Sequence, residues 1–407
     1  MNRKRKNGGF VTVIVLTLVL ALLAVLSLSA SSCRQREEDD RRATARSTAA
    51  EEVARANASI EAQNQANQTQ YEQDVAEYRA QLAQDEGQNK DWPKPATGQG
   101  WEVVDLTGYD LELPQTRSIS RQDMLYNGLL VVNQWHARPD DYDDAKPAYV
   151  HRVNKEIPLS DHNQRLLEGA ITAWGNLLGD AKIQHQWDYF MLDSCYRNFE
   201  AQQKRYDEEA NKLKDSYTDA DELRAAVVRR NVSYPGTSEY NTGLSAWPRI
   251  YKKGDSAITG KNSDFFASEE GLWLLEHSWE YGFVFRFPLA DYPVKGTQDK
   301  GYLTGITSRQ RLFRYVGVGN AVAMHALGDL CLEEYVQYLE QHPHLAIYQD
   351  GKLRYEIWRE ASQKADTMLV SHTGKVSDSQ QESMLDNMEF TDNDGITWAF
   401  VVTVITY

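Results

Sequence analysis

The chain has 407 residues and a formal net charge of −15, with 41% hydrophobic and 11% aromatic residues. This length and composition suffice for one large or two small globular domains plus extensions. The acidic balance argues against a nucleic-acid-binding protein, which needs a basic face to contact phosphates.

The N-terminus has the pattern of a membrane anchor. Residues 1–9 contain a basic cluster, and residues 10–32 are uncharged and mostly Leu, Val, Ile and Ala. A bilayer core needs about 20 apolar residues, and a cationic flank stays in the cytoplasm. We therefore expect a single-pass protein of the cell membrane whose residues after Cys33 are extracytoplasmic. A cleaved signal peptide and a lipoprotein site at Cys33 are the alternatives, but the apolar run exceeds a signal core.

Residues 33–90 are polar and predict a helical stalk. The stalk has an apolar seam at helical spacing: Tyr71, Val75, Tyr78 and Leu82. Two interpretations remain open, a short, weak coiled coil through which the stalk self-associates and a solvated spacer without a partner. Residues 91–100 include two prolines and two glycines, and they predict a linker.

The next segment, residues 101–344, predicts a globular domain. Apolar runs predict strands at 129–133, 189–192 and 283–288, and helical spacing predicts helices at 166–178, 269–281 and 320–341. Ser160 and Asp161 are the expected N-cap of the first helix, and Gly282 is the expected end of the second. Residues 345–407 predict a β-rich appendix on this domain, beginning with a hairpin that turns at Asp350 and Gly351.

The three cysteines do not form a recognisable pattern. Cys33, Cys195 and Cys331 are too few and too scattered for a disulfide framework or a Cys-based zinc site. A bridge between Cys195 and Cys331 and two buried free thiols are both compatible with the sequence, and we expect the free thiols.

Residues 235–247 read Pro-Gly-Thr-Ser-Glu-Tyr-Asn-Thr-Gly-Leu-Ser-Ala-Trp. This stretch resembles the zinc-site signature Ser-x-His-x-x-Gly-x-Ala-x-Asp of the VanY-like D-alanyl-D-alanine carboxypeptidases, which are LAS metallopeptidases. Ser238 and Gly243 match the signature, and Ser245 stands at its small-residue position. Tyr240 and Trp247 stand where the family has its first two zinc ligands.

Residues 304–317 resemble a second block of the same family, Glu-x-x-His-Phe-Arg-Tyr-Val-Gly. Here Arg309 stands at the position of the catalytic general base, and Leu312 stands at the third ligand position. The sequence therefore keeps the residues that flank a zinc site and replaces the three zinc ligands and the general base.

The resemblance covers roughly residues 129–342 and implies a fold of the α+β class, with helices packed on a small, mostly antiparallel sheet. It also implies a Gram-positive bacterium as source. The segment Tyr-Arg-Asn-Phe-Glu-Ala-Gln is similar to the family's Ser-Gly-Tyr-Arg-Ser…Gln, which implies that Arg197 and Gln202 line the pocket. The predicted ligand-binding residues are Arg197, Gln202, Ser238, Tyr240, Trp247, Arg309 and Leu312.

The family uses Zn²⁺, but the replaced residues do not suit it. A catalytic zinc takes three lone-pair ligands and a water, and a carboxylate accepts the water's proton. Phenols are neutral at pH 7 and an indole only donates, so Tyr240 and Trp247 are poor ligands. Leu312 offers no donor, and Arg309 brings a positive charge. None of the nine histidines lies in either block, so we predict no metal, no cofactor and no catalytic residue.

Three functions remain open from the sequence. The first is a pseudoenzyme that holds a peptidoglycan stem peptide, or a wall or division protein, in the old groove without hydrolysis. The second is a scaffold whose pocket is filled by Tyr240, Trp247 and Leu312, with contacts made by the stalk or the β appendix. The third is an active carboxypeptidase with a relocated metal site.

Overall fold

The computed structural model describes residues 92–109, 115–126, 128–187, 190–251, 265–363, 367–371, 381–391 and 397–407, with scattered residues between 16 and 73. The chain divides into two compact units, residues 1–88 and 89–407. In the first unit every described residue is helical. Most of residues 10–32 and the whole stalk seam from Tyr71 to Leu82 lie outside the described part. Within that part, no helix has both the length and the hydrophobicity needed to span a bilayer.

The second unit contains short helices and antiparallel sheets, as an α+β fold requires. Its helices are α1 (Arg121–Met124), α2 (Val150–Val153), α3 (Glu168–His185), α4 (Phe199–Leu213), α5 (Ala220–Val228), α6 (Glu269–His277), α7 (Gly301–Thr304), α8 (Val318–Ala326) and α9 (Leu332–Gln341). Its strands are β1 (Trp101–Asp105), β2 (Gln115–Ile119), β3 (Ala148–Tyr149), β4 (Arg165–Leu166), β5 (Phe190–Ser194), β6 (Ser245–Ile250), β7 (Phe283–Phe285), β8 (Phe313–Tyr315), β9 (His344–Gln349), β10 (Lys352–Gln363), β11 (Thr367–Ser371), β12 (Gln381–Thr391) and β13 (Thr397–Thr406).

A four-stranded sheet in the order β5-β6-β8-β7 forms the centre of this unit, and all its pairings are antiparallel. Helices α3 and α6 supply the apolar side chains that cover it, including Trp174 and Leu274, which are fully buried. Trp174 packs edge-on against Phe283 of β7, with ring centroids 5.3 Å apart. Burial of such aromatic pairs is a major source of core stability.

A second, five-stranded sheet has the order β1-β9-β10-β13-β12 and is also antiparallel. The predicted hairpin is present: β9 and β10 flank Asp350 and Gly351, whose φ angles of 50° and 76° fit a tight two-residue turn. This sheet shares one core with helices α8 and α9. Of the strands in this C-terminal region, β9 pairs with β1 and β11 pairs with β2, and the sequence predicted neither partnership.

Two predicted boundaries differ from the structure. The helix predicted at 320–341 is two helices, α8 and α9, because Gly328 and Asp329 adopt positive φ angles of 95° and 57° and end the first of them. Helix α3 begins at Glu168, and Asp161 does not cap it. The Asp161 carboxylate instead accepts a hydrogen bond from the Asn163 amide at 2.8 Å, a local turn that competes with helix initiation.

Residues 129–133, predicted as a strand, form no named strand. Arg314 takes two carbonyl oxygens of this region: its Nη2 donates to those of Gly128 and Leu130 at 2.9 and 2.7 Å. These two carbonyl oxygens therefore accept hydrogen bonds from an arginine side chain and not from a neighbouring strand. Trp92, within the predicted linker, is buried and meets the His344 ring edge-on. Cys195 and Cys331 are buried free thiols, as expected.

Candidate functional site

Two of the four replaced positions belong to neighbouring strands of the central sheet, since Trp247 lies on β6 and Leu312 immediately precedes β8. In the β6–β8 pairing Ser245 lies opposite Arg314, and Ala246 lies opposite Phe313. Continuing this register by one residue brings Leu312 opposite Trp247. The Trp247 and Tyr240 rings are stacked, with centroids 6.5 Å apart and an interplanar angle of 22°.

Gly243 has a structural reason to be glycine. It lies between the turn that carries Tyr240 and strand β6, with a φ angle of +67° that side chains rarely adopt. A Cβ at this position would lie 3.0 Å from Pro147 Cγ and 3.3 Å from Leu167 Cγ. The carbonyl of Gly243 also accepts a hydrogen bond from the Leu167 amide at 2.8 Å, which attaches the motif to the start of α3.

A cavity of about 320 Å³ opens beside these aromatic rings. Six of the seven predicted ligand-binding residues line it: Arg197, Gln202, Ser238, Tyr240, Trp247 and Arg309. The seventh, Leu312, is fully buried and does not line the cavity. Because the cavity exists beside Tyr240 and Trp247, these side chains do not fill it.

Arg197 is held in the cavity wall by its neighbours. Its Nη1 donates to Gln202 Oε1 at 2.6 Å, and Gln202 Nε2 in turn donates to the Ser233 carbonyl at 2.6 Å. The Arg197 amide donates to the Tyr240 carbonyl at 2.8 Å, and Asn241 Nδ2 donates to the Arg197 carbonyl at 2.6 Å. These bonds fix both the backbone and the guanidinium, so the charge is preorganised.

The same guanidinium lies over the Tyr240 ring, 4.8 Å from its centroid, at cation–π distance. Burial raises the pKa of the Tyr240 phenol, and the Arg197 charge only partly opposes this effect. Tyr240 is therefore a neutral phenol at physiological pH. It contributes a flat wall and a hydroxyl to the cavity, and no anionic oxygen.

Arg309 also lines the cavity, together with Thr304, Gly305 and Ile306 of the same segment. The Arg309 side chain is exposed, and its guanidinium lies 5.4 Å from the centroid of the Tyr292 ring. A guanidinium remains protonated at any physiological pH. The position of the family's general base thus holds a permanent cation.

The two carboxylates among the lining residues are already paired. Asp193 accepts from Arg249 Nη2 at 2.5 Å. Glu239 is buried beneath the cavity and accepts from Arg286 Nε at 2.8 Å and from Arg314 Nη1 at 2.5 Å. The charge that remains in the cavity wall is therefore positive.

Glu239 belongs to a buried network of four charged side chains. Arg286 also donates to both carboxylate oxygens of Glu333 on α9, at 2.7 and 2.8 Å, so that it bridges two acids. The Ser245 hydroxyl donates to Glu239 Oε1 at 2.6 Å. Although burial alone would raise the pKa of Glu239, Arg314 and Arg286 hold that pKa below its ordinary value. The network joins the motif turn, strand β8, the residue that follows β7, and α9.

The residues that replace the family's ligands do not fit a zinc ion. A neutral buried phenol, an indole that only donates and an isobutyl group supply no set of three lone pairs. Arg309 would add electrostatic repulsion against a dication. Among the described residues, no group of three or more His, Cys, Asp or Glu side chains is placed to hold a metal.

Sequence reasoning missed two features of the site. Arg205 lines the cavity, and its signal was present, because it stands three residues after Gln202 on the same helix and so shares its face. The buried network was also missed, although Glu239 and Arg314 lie inside the two blocks. Arg286 and Glu333 carry no local signal, since only the fold brings them together.

The comparisons with known proteins cover the first motif block, whereas the second block lies just beyond the profile match. A family profile described as VanY, D-alanyl-D-alanine carboxypeptidase, matches residues 163–302. The match and the homologues below show that the chain is similar to the VanY family. A D-alanyl-D-alanine carboxypeptidase of Enterococcus faecium is 25% identical over 64% of this chain and 73% of its own length. A second, from Enterococcus faecalis (strain ATCC 700802 / V583), is 29% identical over 51% of this chain and 65% of its own length.

Solved structures of VanY-type enzymes are also similar to this chain. The vancomycin-resistance D,D-dipeptidase VanXYg, in complex with a D-Ala-D-Ala phosphinate analogue, is 21% identical with a TM-score of 0.49, over 72% of this chain and 99% of that one. VanYB in complex with D-Alanine-D-Alanine is 27% identical with a TM-score of 0.37, over 52% and 97%.

Proposed function

We propose that this chain is a membrane-anchored, extracytoplasmic pseudoenzyme of the VanY family that binds a peptide by its C-terminal carboxylate without hydrolysing it. The observation that carries the proposal is an open cavity in which the residues at the family's catalytic positions have been replaced. Arg309 stands at the general-base position and lines the same cavity as the stacked Tyr240 and Trp247 rings and the preorganised Arg197.

The binding chemistry follows from these groups. A carboxylate that enters the cavity meets guanidinium donors, which form charge-assisted hydrogen bonds with it. The Tyr240 and Trp247 rings offer flat apolar surface to the rest of a short peptide. The ligand class that we propose is the stem peptide of peptidoglycan, because the relatives are D-alanyl-D-alanine carboxypeptidases.

Hydrolysis has no support from the groups in the cavity. Activating a water requires a base or a metal, and the carboxylates of Asp193 and Glu239 are both held in ion pairs with arginine. A scaffold with a filled pocket is the second candidate. The cavity of about 320 Å³ favours ligand binding over that candidate.

Binding is tested by calorimetric titration of the full chain in detergent with N-acetyl-L-Lys-D-Ala-D-Ala and with its C-terminal amide. We expect the acid to bind and the amide to bind at least tenfold more weakly. Arg309→Glu should abolish the preference for the acid. Arg152→Glu is the matched control, because Arg152 is also exposed and also stacks on a tyrosine, Tyr149, at 4.6 Å.

The alternatives predict different results in the same samples. Stoichiometric zinc by metal analysis together with release of D-alanine would establish an active enzyme and overturn the proposal. Equal affinity for the acid and the amide, or no binding of either, would leave the scaffold as the better explanation. Membrane anchoring by residues 10–32 is tested separately, by extraction of membranes at alkaline pH and by protease protection.

A positive control tests whether the four replaced positions are correctly aligned with the zinc ligands and general base of the family. The combined changes Tyr240→His, Trp247→Asp, Arg309→Glu and Leu312→His would place the family's ligands and base at the four positions. If the four positions surround one point at the end of the sheet, the folded variant should bind one zinc ion per chain. A folded variant that binds no zinc would contradict the alignment.

A further inference from the structure

The cavity contains an arginine that neither motif block includes. Arg205 lies on α4, three residues after Gln202, and both side chains line the cavity. Among the described residues, no carboxylate lies within ion-pair distance of the exposed Arg205 guanidinium. Its charge is therefore available to a ligand.

Arg205 and Arg197 lie close enough to act on each other. After burial, the Arg205 charge is the next largest cause that lowers the pKa of Arg197, and both charges act on the Tyr240 phenol. Two like charges that face one cavity repel each other, and an anion bound between or beside them offsets that repulsion. A ligand with a single carboxylate has too little negative charge to balance these two arginines and Arg309.

Helix α5 completes this side of the cavity. Val228 and Asn231, at its C-terminal end, line the same cavity as Arg205. An asparagine amide donates hydrogen bonds as well as accepting them. The α4–α5 region, including Asn231 just after α5, thus contributes a cation and a neutral donor to the cavity that Arg309 also lines.

We infer that the cavity selects a peptide whose C-terminal residue carries a second carboxylate in its side chain, with Arg205 as the residue that determines this specificity. The inference rests on the proposed function, since it assumes that the α-carboxylate binds in the same cavity. The α-carboxylate pairs with Arg197 or Arg309, and the side-chain carboxylate pairs with Arg205.

The test compares three probes on the full chain in detergent by calorimetry: N-acetyl-L-Lys-D-Glu, N-acetyl-L-Lys-D-Gln and N-acetyl-L-Lys-D-Ala. D-Gln matches D-Glu in size and lacks its charge, so the ratio of their affinities isolates the second carboxylate. We expect D-Glu to bind at least tenfold more tightly than D-Gln. Arg205→Gln should reduce this ratio below threefold, and Arg205→Lys should retain most of it.

Lys204→Gln is the matched control, because Lys204 is an exposed neighbour on the same helix and does not line the cavity. This variant should keep the full ratio. Equal affinities for the D-Glu and D-Gln peptides would overturn the inference, and so would an affinity ratio that Arg205→Gln leaves unchanged. In either case, binding of the D-Ala peptide still tests the proposed function. If none of the three probes binds, both the inference and the proposed function fail.

Discussion

The Glu239 carboxylate lies between two guanidiniums that solvent does not reach. Arg286 and Arg314 are 0% exposed at their side chains, and Glu239 is 3% exposed. Removing one partner of a buried ion pair leaves an uncompensated charge, which costs roughly 3–5 kcal/mol. We therefore expect Glu239→Gln to lower the free energy of unfolding by about that amount, measured by urea denaturation at pH 7.

The control for this prediction is a carboxylate with similar partners at the surface. Glu209 pairs with Lys212 and Arg230, whose side chains are 64% and 57% exposed. Exposed pairs contribute little to stability because water and salt screen them. Glu209→Gln should hardly change the urea midpoint, and an equal loss in both variants would contradict the special role of the buried network.

The predicted cavity residues also show what a sequence pattern can and cannot predict. Ser238, Tyr240 and Trp247 were predicted to line the pocket because one block resembles the family's zinc-site signature, and all three line the cavity. Leu312 was placed there by the same logic and is fully buried instead. Burial of an isobutyl group away from water is favourable, and the spacing of a motif does not tell whether such a side chain reaches the cavity surface.

At the scale of the elements, α5 depends on its N-cap. The Asp219 carboxylate accepts hydrogen bonds from the amides of Asp221 and Glu222, both at 2.9 Å. Loss of such a cap costs about 1 kcal/mol. Asp219→Ala should therefore speed hydrogen exchange of α5 amides about fivefold, as measured by mass spectrometry or NMR.

Asp215→Ala is the comparison for this variant. Asp215 is an exposed aspartate in the link between α4 and α5, and it does not cap the helix. The two helices share a small cluster of their own, which contains Leu213 and Val227. Faster exchange in Asp219→Ala should therefore extend into α4. Equal exchange rates in the two variants would show that the cap does not limit opening of the pair.

Element ends were predictable where one residue type determines them. Gly282, with a φ of +84°, ends the helical segment that begins with α6, and Asp350 and Gly351 make the β9–β10 turn. The strand expected at 129–133 failed for another reason, since the distant Arg314 takes the carbonyl of Leu130 and that of Gly128 just before the segment. Local patterns contain no information about such a partner.

At the scale of the whole molecule, the largest difference is in how the second unit is assembled. The sequence predicted residues 345–407 as an appendix, but β9, β10 and β13 build a core with α8, α9 and the segment around Leu129. Pairing of β1 with β9 joins residues almost 250 positions apart, such as Trp101 and Gln349. The fold class could be predicted from the motif blocks, whereas this long-range pairing could not.

The pH dependence of stability combines two opposite contributions. Glu239 has a lowered pKa, so its contribution is present above the ordinary glutamate value of about 4.3 and is lost as pH falls through the folded-state pKa. Glu360 on β10 behaves in the opposite way, because burial raises its pKa to about 7. Its Oε1 has no hydrogen-bond partner within the described part of the chain. The folded state retains this proton where the unfolded chain has lost it, so stability declines as pH rises from about 4.5 to 7.

Glu360→Gln should remove the second contribution. Glu360 is half-buried, and solvent screening reduces the expected effect to roughly 1–2 kcal/mol. We expect the variant to be more stable than the parent chain by this amount at pH 8, and the difference should almost vanish at pH 4.5. Urea denaturation at the two pH values measures it, with Glu340→Gln, an exposed carboxyl on α9, as the control that shifts neither midpoint. The variant and the parent chain could instead differ in the free energy of unfolding by the same amount at both pH values. That result would mean that Glu360 ionises normally.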